Sequence, residues 1–171
     1  MLLPFIGYAI GRRFIGYVEC EGERLTDLLN RTESIVVRET FVENFEDDTV
    51  TNLGDGEVDR NVLYAIEASG GRGEAARRIH TIRHRLQVQL GPYTVLGLLH
   101  SLPGQMPLPY LHARGPMIPL SDATIGFVSR AGLQMRDVGT LIVNREMLDW
   151  VRADDDEASA FPGVPVHSDR A

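Results

Sequence analysis

His80 and His84 stand four residues apart. On a helix that spacing turns both imidazoles to one face, as two ligands of a metal ion require. The intervening sequence, HTIRH, lacks the glutamate of the H-E-x-x-H zinc pattern, offers no third ligand nearby, and sets Arg83 and Arg85 where they would oppose a dication. The pair therefore reads as part of a basic connector, with no metal and no other cofactor expected. Cys20 sits in a strand-like run with no histidine beside it to lower its pKa, which marks a buried structural thiol. For acyl chemistry there is neither G-x-S-x-G nor S-x-x-K. GGRG at 70–73 lacks the spacing of a dinucleotide loop, and with all 17 basic residues arginine there is no lysine for a P-loop. TNLGDGEVD sets carboxylates around glycines, but taking Gly56 as the glycine of an EF-hand puts Leu53 where the third loop position needs an oxygen. It reads as a turn-rich surface loop. Carboxylate pairs such as Glu19 and Glu21, or Asp47 and Asp48, are ordinary on solvated strands and loops. No catalytic residue is assigned, and the chain is expected not to be an enzyme.

Two segments are better suited to contact than to catalysis. LPGQMPLPYLHARGPMIP carries five prolines between Pro103 and Pro119, and Met106, Leu108, Tyr110, Leu111 and Met117 supply apolar surface without a period of their own. A backbone restricted in this way either caps a core or holds out a preorganised surface to a protein partner, where methionine and tyrosine are favoured. The second segment holds Arg72, Arg77, Arg78, Arg83 and Arg85 within fourteen residues, a cluster able to grip RNA or an acidic protein patch.

Charge weighs these alternatives. The formal net charge is −7, which disfavours a general binder of phosphate backbones, since counterion release needs a positive face. Residues 43–59 alone carry seven acids and no base, while residues 70–85 carry five arginines against Glu74. The basic connector can thus neutralise the acidic stretch within or between molecules. One cysteine excludes an internal disulfide, and the cytoplasm is the expected compartment. The apolar N-terminus is followed, not preceded, by Arg12 and Arg13 and is shorter than the roughly 20 residues a bilayer requires. It reads as a strand or buried arm, with a membrane-peripheral anchor as the alternative.

The elements that position these groups fall into two similar halves. In the first, Phe14–Cys20 is strand-like, Leu25, Leu28 and Leu29 lie at helical spacing within 23–30, and IVVRETFV alternates as a strand does. An acidic loop and a strand over 62–68 follow. In the second, 83–90 is strand-like, Tyr93–Leu102 offers Val95, Leu98 and Leu99 at helical spacing, IPLSDATI at 118–125 falls on IVVRETFV at 35–42 with Asp122 on Glu39, and 140–144 is a strand. The shifts drift from 70 to 83 to 78, as in a duplication with altered loops. A closing helix is expected over 145–152.

The expected fold is β-rich α+β, with two tandem β-α-β-β units that form one small mixed barrel or two barrel-like lobes related by a pseudo-two-fold axis. Its parts are 1–69 (first unit with N-terminal arm), 70–82 (basic connector), 83–152 (second unit with the insertion 103–119) and 153–171 (a disordered acidic tail).

GERLTDLLN ahead of a strand, and IPLSDATI ahead of LIVNRE, resemble a group of bacterial domains of unknown activity with a G-x-R-L-x-D-x-L-N segment, an I-P-L-x-D-A-x-V strand and a V-N-R-E strand end. Gly22, Arg24, Leu25, Asp27, Leu29 and Asn30 carry the first part; Ile118, Pro119, Leu120, Asp122, Ala123, Asn144, Arg145 and Glu146 carry the rest. The resemblance implies a small β-rich domain and no catalysis. The sequence as a whole therefore reads as a non-enzymatic scaffold, regulatory or accessory subunit that binds a protein partner or its own copies. A small-barrel nucleic-acid binder using the arginine cluster is one alternative, and a small-molecule pocket or active site between the halves is the other.

Overall fold

A computed structural model describes residues 1–69 and 81–153. The first segment folds as β1 (Leu2–Ala9), β2 (Arg12–Glu19), α1 (Leu25–Arg31), β3 (Ser34–Asn44), β4 (Val50–Asp59), a 3₁₀ turn (Arg60–Val62) and β5 (Ala65–Ala68). The second folds as β6 (Ile82–Leu90), β7 (Tyr93–Ser101), α2 (Pro107–Ala113), β8 (Met117–Ser129), β9 (Gly132–Asn144), a 3₁₀ turn (Arg145–Met147) and β10 (Trp150–Ala153). All ten strands join one antiparallel sheet in the order β10-β6-β7-β8-β9-β5-β1-β2-β3-β4. The fold is thus β-rich α+β. The sheet is open, with β10 and β4 as its edges, so neither the closed barrel nor two separate lobes forms.

Local features recur in both segments. Asp59 and Asn144 each end a long strand and accept a bond from the amide two residues on, at Asn61 and Glu146. The arginine that follows each reaches back to the C-terminus of the preceding helix: Arg60 Nη1 donates to Leu29 O at 2.9 Å, and Arg145 Nη1 donates to the carbonyls of His112 and Arg114. A guanidinium there satisfies orphan carbonyls and meets the negative helix end. Glu39 and Asp122 both have positive φ, 50° and 45°, at breaks in the pairing of β3 and of β8. Backbone crowding against these breaks requires glycine on the neighbouring strand. A Cβ on Gly16 would lie 2.6 Å from Arg38 O, and one on Gly97 would lie 2.9 Å from Leu120 Cβ.

Several expected elements differ. Tyr93–Ser101 is a strand in the middle of the second segment and not a helix, because both its faces are covered and its leucines serve two layers. Residues 145–152 form a 3₁₀ turn and part of β10. The acidic stretch is mostly β4, and the N-terminal arm is β1, paired on both sides. Of the three shifts, that of 83 sets β3 on β8, whereas the shift of 70 would set β2 on β6 and α1 on β7. Residues 70–80 of the connector and residues 154–171 of the tail lie outside the described residues.

The seam between the segments is β5 against β9, where Ile66 faces Ile142 and Ala65 faces Val143. Asn144 fixes its phase, donating from its backbone N to Tyr64 O at 2.9 Å and from Nδ2 to Leu63 O at 3.0 Å. Tyr8 and Phe45 of the first segment enter the core of the second, where Tyr8 meets Tyr93 edge-on at 5.5 Å and Phe45 stacks on Phe127 at 4.6 Å. In return Met117 and Ile142 enter the core around Leu25 and Leu29. Burial pushes the Tyr8 and Tyr93 hydroxyls well above their ordinary pKa, helped at Tyr8 by the bond it donates to Glu67. Glu67 also takes Arg136 of β9 in a bidentate contact at 2.5 and 3.1 Å, so the seam is apolar within and ion-paired at its rim.

Candidate interaction surface

Residues 102–116 connect β7 to β8. Pro107, in the first turn of α2, has the φ a helix start requires and needs no amide partner there. The short helix is amphipathic in effect. Leu111 is fully buried and Tyr110 packs partly on the core, while Met106 just before the helix is 70% exposed and Leu108 38% exposed. Arg114 lies over the Tyr110 ring, 5.1 Å from its centroid. Met117 starts β8 and is 1% exposed. Of the five residues expected to meet a partner, Met106, Leu108 and the edge of Tyr110 are accessible. Leu111 and Met117 are corrected to core positions, because burying them fills the layer beneath α2 and the seam beside α1.

Of the arginine cluster, Arg72, Arg77 and Arg78 lie outside the described residues. Arg83 and Arg85 stand on β6 two residues apart, on one face of the sheet, with Arg83 exposed and Arg85 half-buried. In register, Arg83 faces His100 and Arg85 faces Leu98 of β7, so this face of the second segment lies close in the chain to the start of the α2 connection. His84, on the opposite face, is on a strand, which removes the helical basis for a paired-histidine metal site; its Nε2 lies 2.8 Å from Ser101 Oγ. Among the described residues no three His, Cys, Asp or Glu side chains gather as metal ligands would. Cys20 is buried beside the first core, and burial raises its pKa.

One arrangement has no signal in the linear sequence. His100 Nε2 lies 2.6 Å from Ser121 Oγ, and its Nδ1 lies 3.1 Å from Thr81 Oγ1. Partial burial, followed by the nearby Arg83 charge, lowers the His100 pKa. The geometry joins a hydroxyl to a neutral imidazole, but the second ring nitrogen meets a threonine where an orienting carboxylate would be needed to stabilise an imidazolium. What it accomplishes is to tie β7 to β8 and to Thr81, the residue before β6, through side chains.

Between the segments lies a cleft of about 340 Å³ lined in part by Arg13, Glu43, Phe45, Phe127 and Arg136. Both arginines are held by carboxylates, Arg13 by Glu43 at 2.5 Å and Arg136 by Glu67. No helix of the described residues is long and apolar enough to cross a membrane. Comparison with known proteins finds no family model that matches the chain, no similar curated protein and no similar solved structure.

Proposed function

We propose that the chain is a non-enzymatic protein-interaction module, a scaffold or accessory subunit that engages a protein partner through the surface at α2. The observation that carries this reading is the exposure of Met106 and Leu108 on a proline-braced segment whose opposite side is anchored by Leu111. An apolar side chain held out on a rigid mount loses little entropy on binding, and methionine adapts to the surface it meets. The shared order of elements, the paired arginine caps and the paired bulges support descent of both segments from one duplicated unit, β-β-α-β-β-3₁₀-β, with the second copy's connection adapted for contact.

The test is quantitative capture from native lysate with the full chain and with Met106→Ser/Leu108→Ser, each with and without nuclease. A protein partner lost at least tenfold with the double variant and indifferent to nuclease supports the reading. Recovery unchanged by the double variant, or lost on nuclease treatment and on Arg83→Ser/Arg85→Ser instead, overturns it in favour of nucleic acid.

A further inference from the structure

β10 is shorter than the strand it pairs with. Trp150–Ala153 runs antiparallel to Leu86–Gln89, whereas β6 reaches back to Ile82. Among the described residues, Ile82–Arg85 has β7 on one side and no strand on the other. The backbone groups of Arg83 and Arg85 face that other side. Gln89 O accepts from Asp149 N at 2.9 Å where the chain enters β10, and every second residue back along β6, Gln87, Arg85 and Arg83, turns its amide and carbonyl the same way. The chain continues after Ala153, and its next four residues are Asp154, Asp155, Asp156 and Glu157.

We propose that residues 154–157 extend β10 along the open side of β6, an intramolecular strap that sets the chain's own acids on Arg83 and Arg85 and shields them from polyanions. The four pairs of β10 fix the register. Continued from Arg152 opposite Gln87 and Ala153 opposite Leu86, it sets Asp154 opposite Arg85, Asp155 opposite His84 and Asp156 opposite Arg83. Opposite residues of an antiparallel pair project from the same face, where unlike charges attract. The preceding pair on that face is already joined through its side chains: Arg152 Nε and Nη2 donate to Gln87 Oε1 at 2.8 and 2.6 Å. The next two pairs on the face are carboxylate against guanidinium, twice in succession.

Composition selects the same occupant. From Thr81 to Ser121 the sequence holds Arg83, Arg85 and Arg114 and no acid, so neither β6 nor β7 supplies a carboxylate to its own arginines. The acids that follow β10 arrive from the adjacent strand at the matching positions. The strap also accounts for a basic edge in a chain of net charge −7. The face it covers carries Arg83, Arg85 and Arg152 in a row, and Trp150, 42% exposed, lies at its end with the Arg152 guanidinium 5.3 Å from the ring centroid. Arginines interleaved with an aromatic ring are what a single-stranded phosphate backbone binds. With carboxylates in place, a polyanion has first to displace them. This regulation goes beyond the contact at α2 and leaves that surface open.

The experiment compares the full chain with its Asp154→Asn/Asp156→Asn variant in two measurements. Amide hydrogen exchange by NMR is read at Arg83 and Arg85, and affinity is read with a fluorescent oligothymidylate as the polyanion probe. In low salt the two amides are expected to exchange about tenfold faster in the variant, the combined effect of two partly exposed ion pairs, and the difference to vanish in high salt. The variant is expected to bind the probe about tenfold more tightly than wild type, and adding Arg83→Ser/Arg85→Ser to it to abolish the gain. The charge swap Arg83→Asp/Arg85→Asp/Asp154→Arg/Asp156→Arg is expected to restore protection. Equal protection in wild type and Asp154→Asn/Asp156→Asn overturns the strap, whether both are slow because another segment covers the edge or both fast because nothing does. Probe affinity unchanged by Asp154→Asn/Asp156→Asn overturns the shielding. All of these variants keep Met106 and Leu108, so capture of a protein partner at α2 is read separately.

Discussion

Replacing Asn30 by alanine removes one side chain that makes two bonds across the seam. Asn30 Nδ2 donates to Met117 O at 3.0 Å, and Met117 N donates to Asn30 Oδ1 at 2.9 Å. The amide thus acts as a further strand partner for the first residue of β8, and it is held close: a Cβ on Gly115 would lie 2.6 Å from its Oδ1. Met117 is buried, so its peptide groups have little water to turn to when the amide is gone. Two neutral hydrogen bonds contribute about 0.5–1.5 kcal/mol each, and Asn30→Ala is expected to cost about 2 kcal/mol. For a chain of this size that corresponds to a fall in Tm of roughly 4–8 °C. Asn30→Asp separates the two bonds. Its carboxylate still accepts from Met117 N, but an oxygen then faces Met117 O, so at neutral pH it is expected to be at least as damaging as alanine. On acidification the protonated carboxyl donates again and recovers part of the loss relative to Asn30→Ala. Urea unfolding followed by circular dichroism measures both, with Asn61→Ala as a control, since Asn61 contributes only its backbone amide to its cap. If Asn30→Ala lies within about 0.5 kcal/mol of wild type, the ordinary range of surface substitutions, the bridge is not what holds α1 to β8.

Leu111→Ala, which empties a fully buried site, is expected to cost about 2–5 kcal/mol by chemical denaturation, whereas Met106→Ser/Leu108→Ser should change stability by less than about 1 kcal/mol; equal costs would contradict the division of α2 into an anchored and a presented side. Gly16→Ala and Gly97→Ala both introduce a Cβ closer than van der Waals contact allows, and Gly16→Ala is expected to be the more destabilising because it meets a backbone carbonyl that cannot rotate away; a reversed order in thermal melts refutes that. His100 has its pKa lowered by burial, so the unfolded chain binds the proton more tightly and stability falls as the pH drops through the unfolded value of about 6.5 toward the lower folded value. His100→Gln should remove that part of the acid dependence, and proton NMR should show the His100 ring titrating below the ordinary histidine value of about 6.5; a midpoint at or above that value would falsify the assignment.

The strands with one covered face were legible. IVVRETFV shows its alternation because Ile35 and Val37 face the core while Val36 and Arg38 face water, and the shift of 83 that sets it on IPLSDATI also sets Glu39 on Asp122, the two positive-φ residues at the bulges. α1 was legible for the same reason, with Leu25 and Leu29 on its buried side. β7 was not, because in a strand covered on both faces the leucines follow no period of two, and Val95, Leu98 and Leu99 match a helix by chance; Gly97 was the contrary signal. β4 was hidden by its place at the edge, where exposure removes the apolar pattern and turn-forming residues are tolerated. Within the contact segment, separating Met106 from Leu111 and Met117 depends on a helix of seven residues, too short to set a period. His100 and Ser121 meet only through the β7–β8 register and its bulge.

The contrast between the inner seam and the outer edges follows from what each has to do. The seam is formed within one chain, where the partner strand is always present, and it is built from Ile66, Ile142, Tyr8 and Phe127, groups that would aggregate if left open. At the corresponding outer positions the chain has Val151, Glu57, Gln89 and Asn44, and the row Asp55, Glu57 and Asp59 lines β4. Charge on an edge strand blocks unselective pairing, and the sequence sets acids at both edges: Asp55, Glu57 and Asp59 on β4, and Asp154, Asp155, Asp156 and Glu157 directly after β10. The same sign at both edges repels further copies, which is protection against edge-to-edge aggregation.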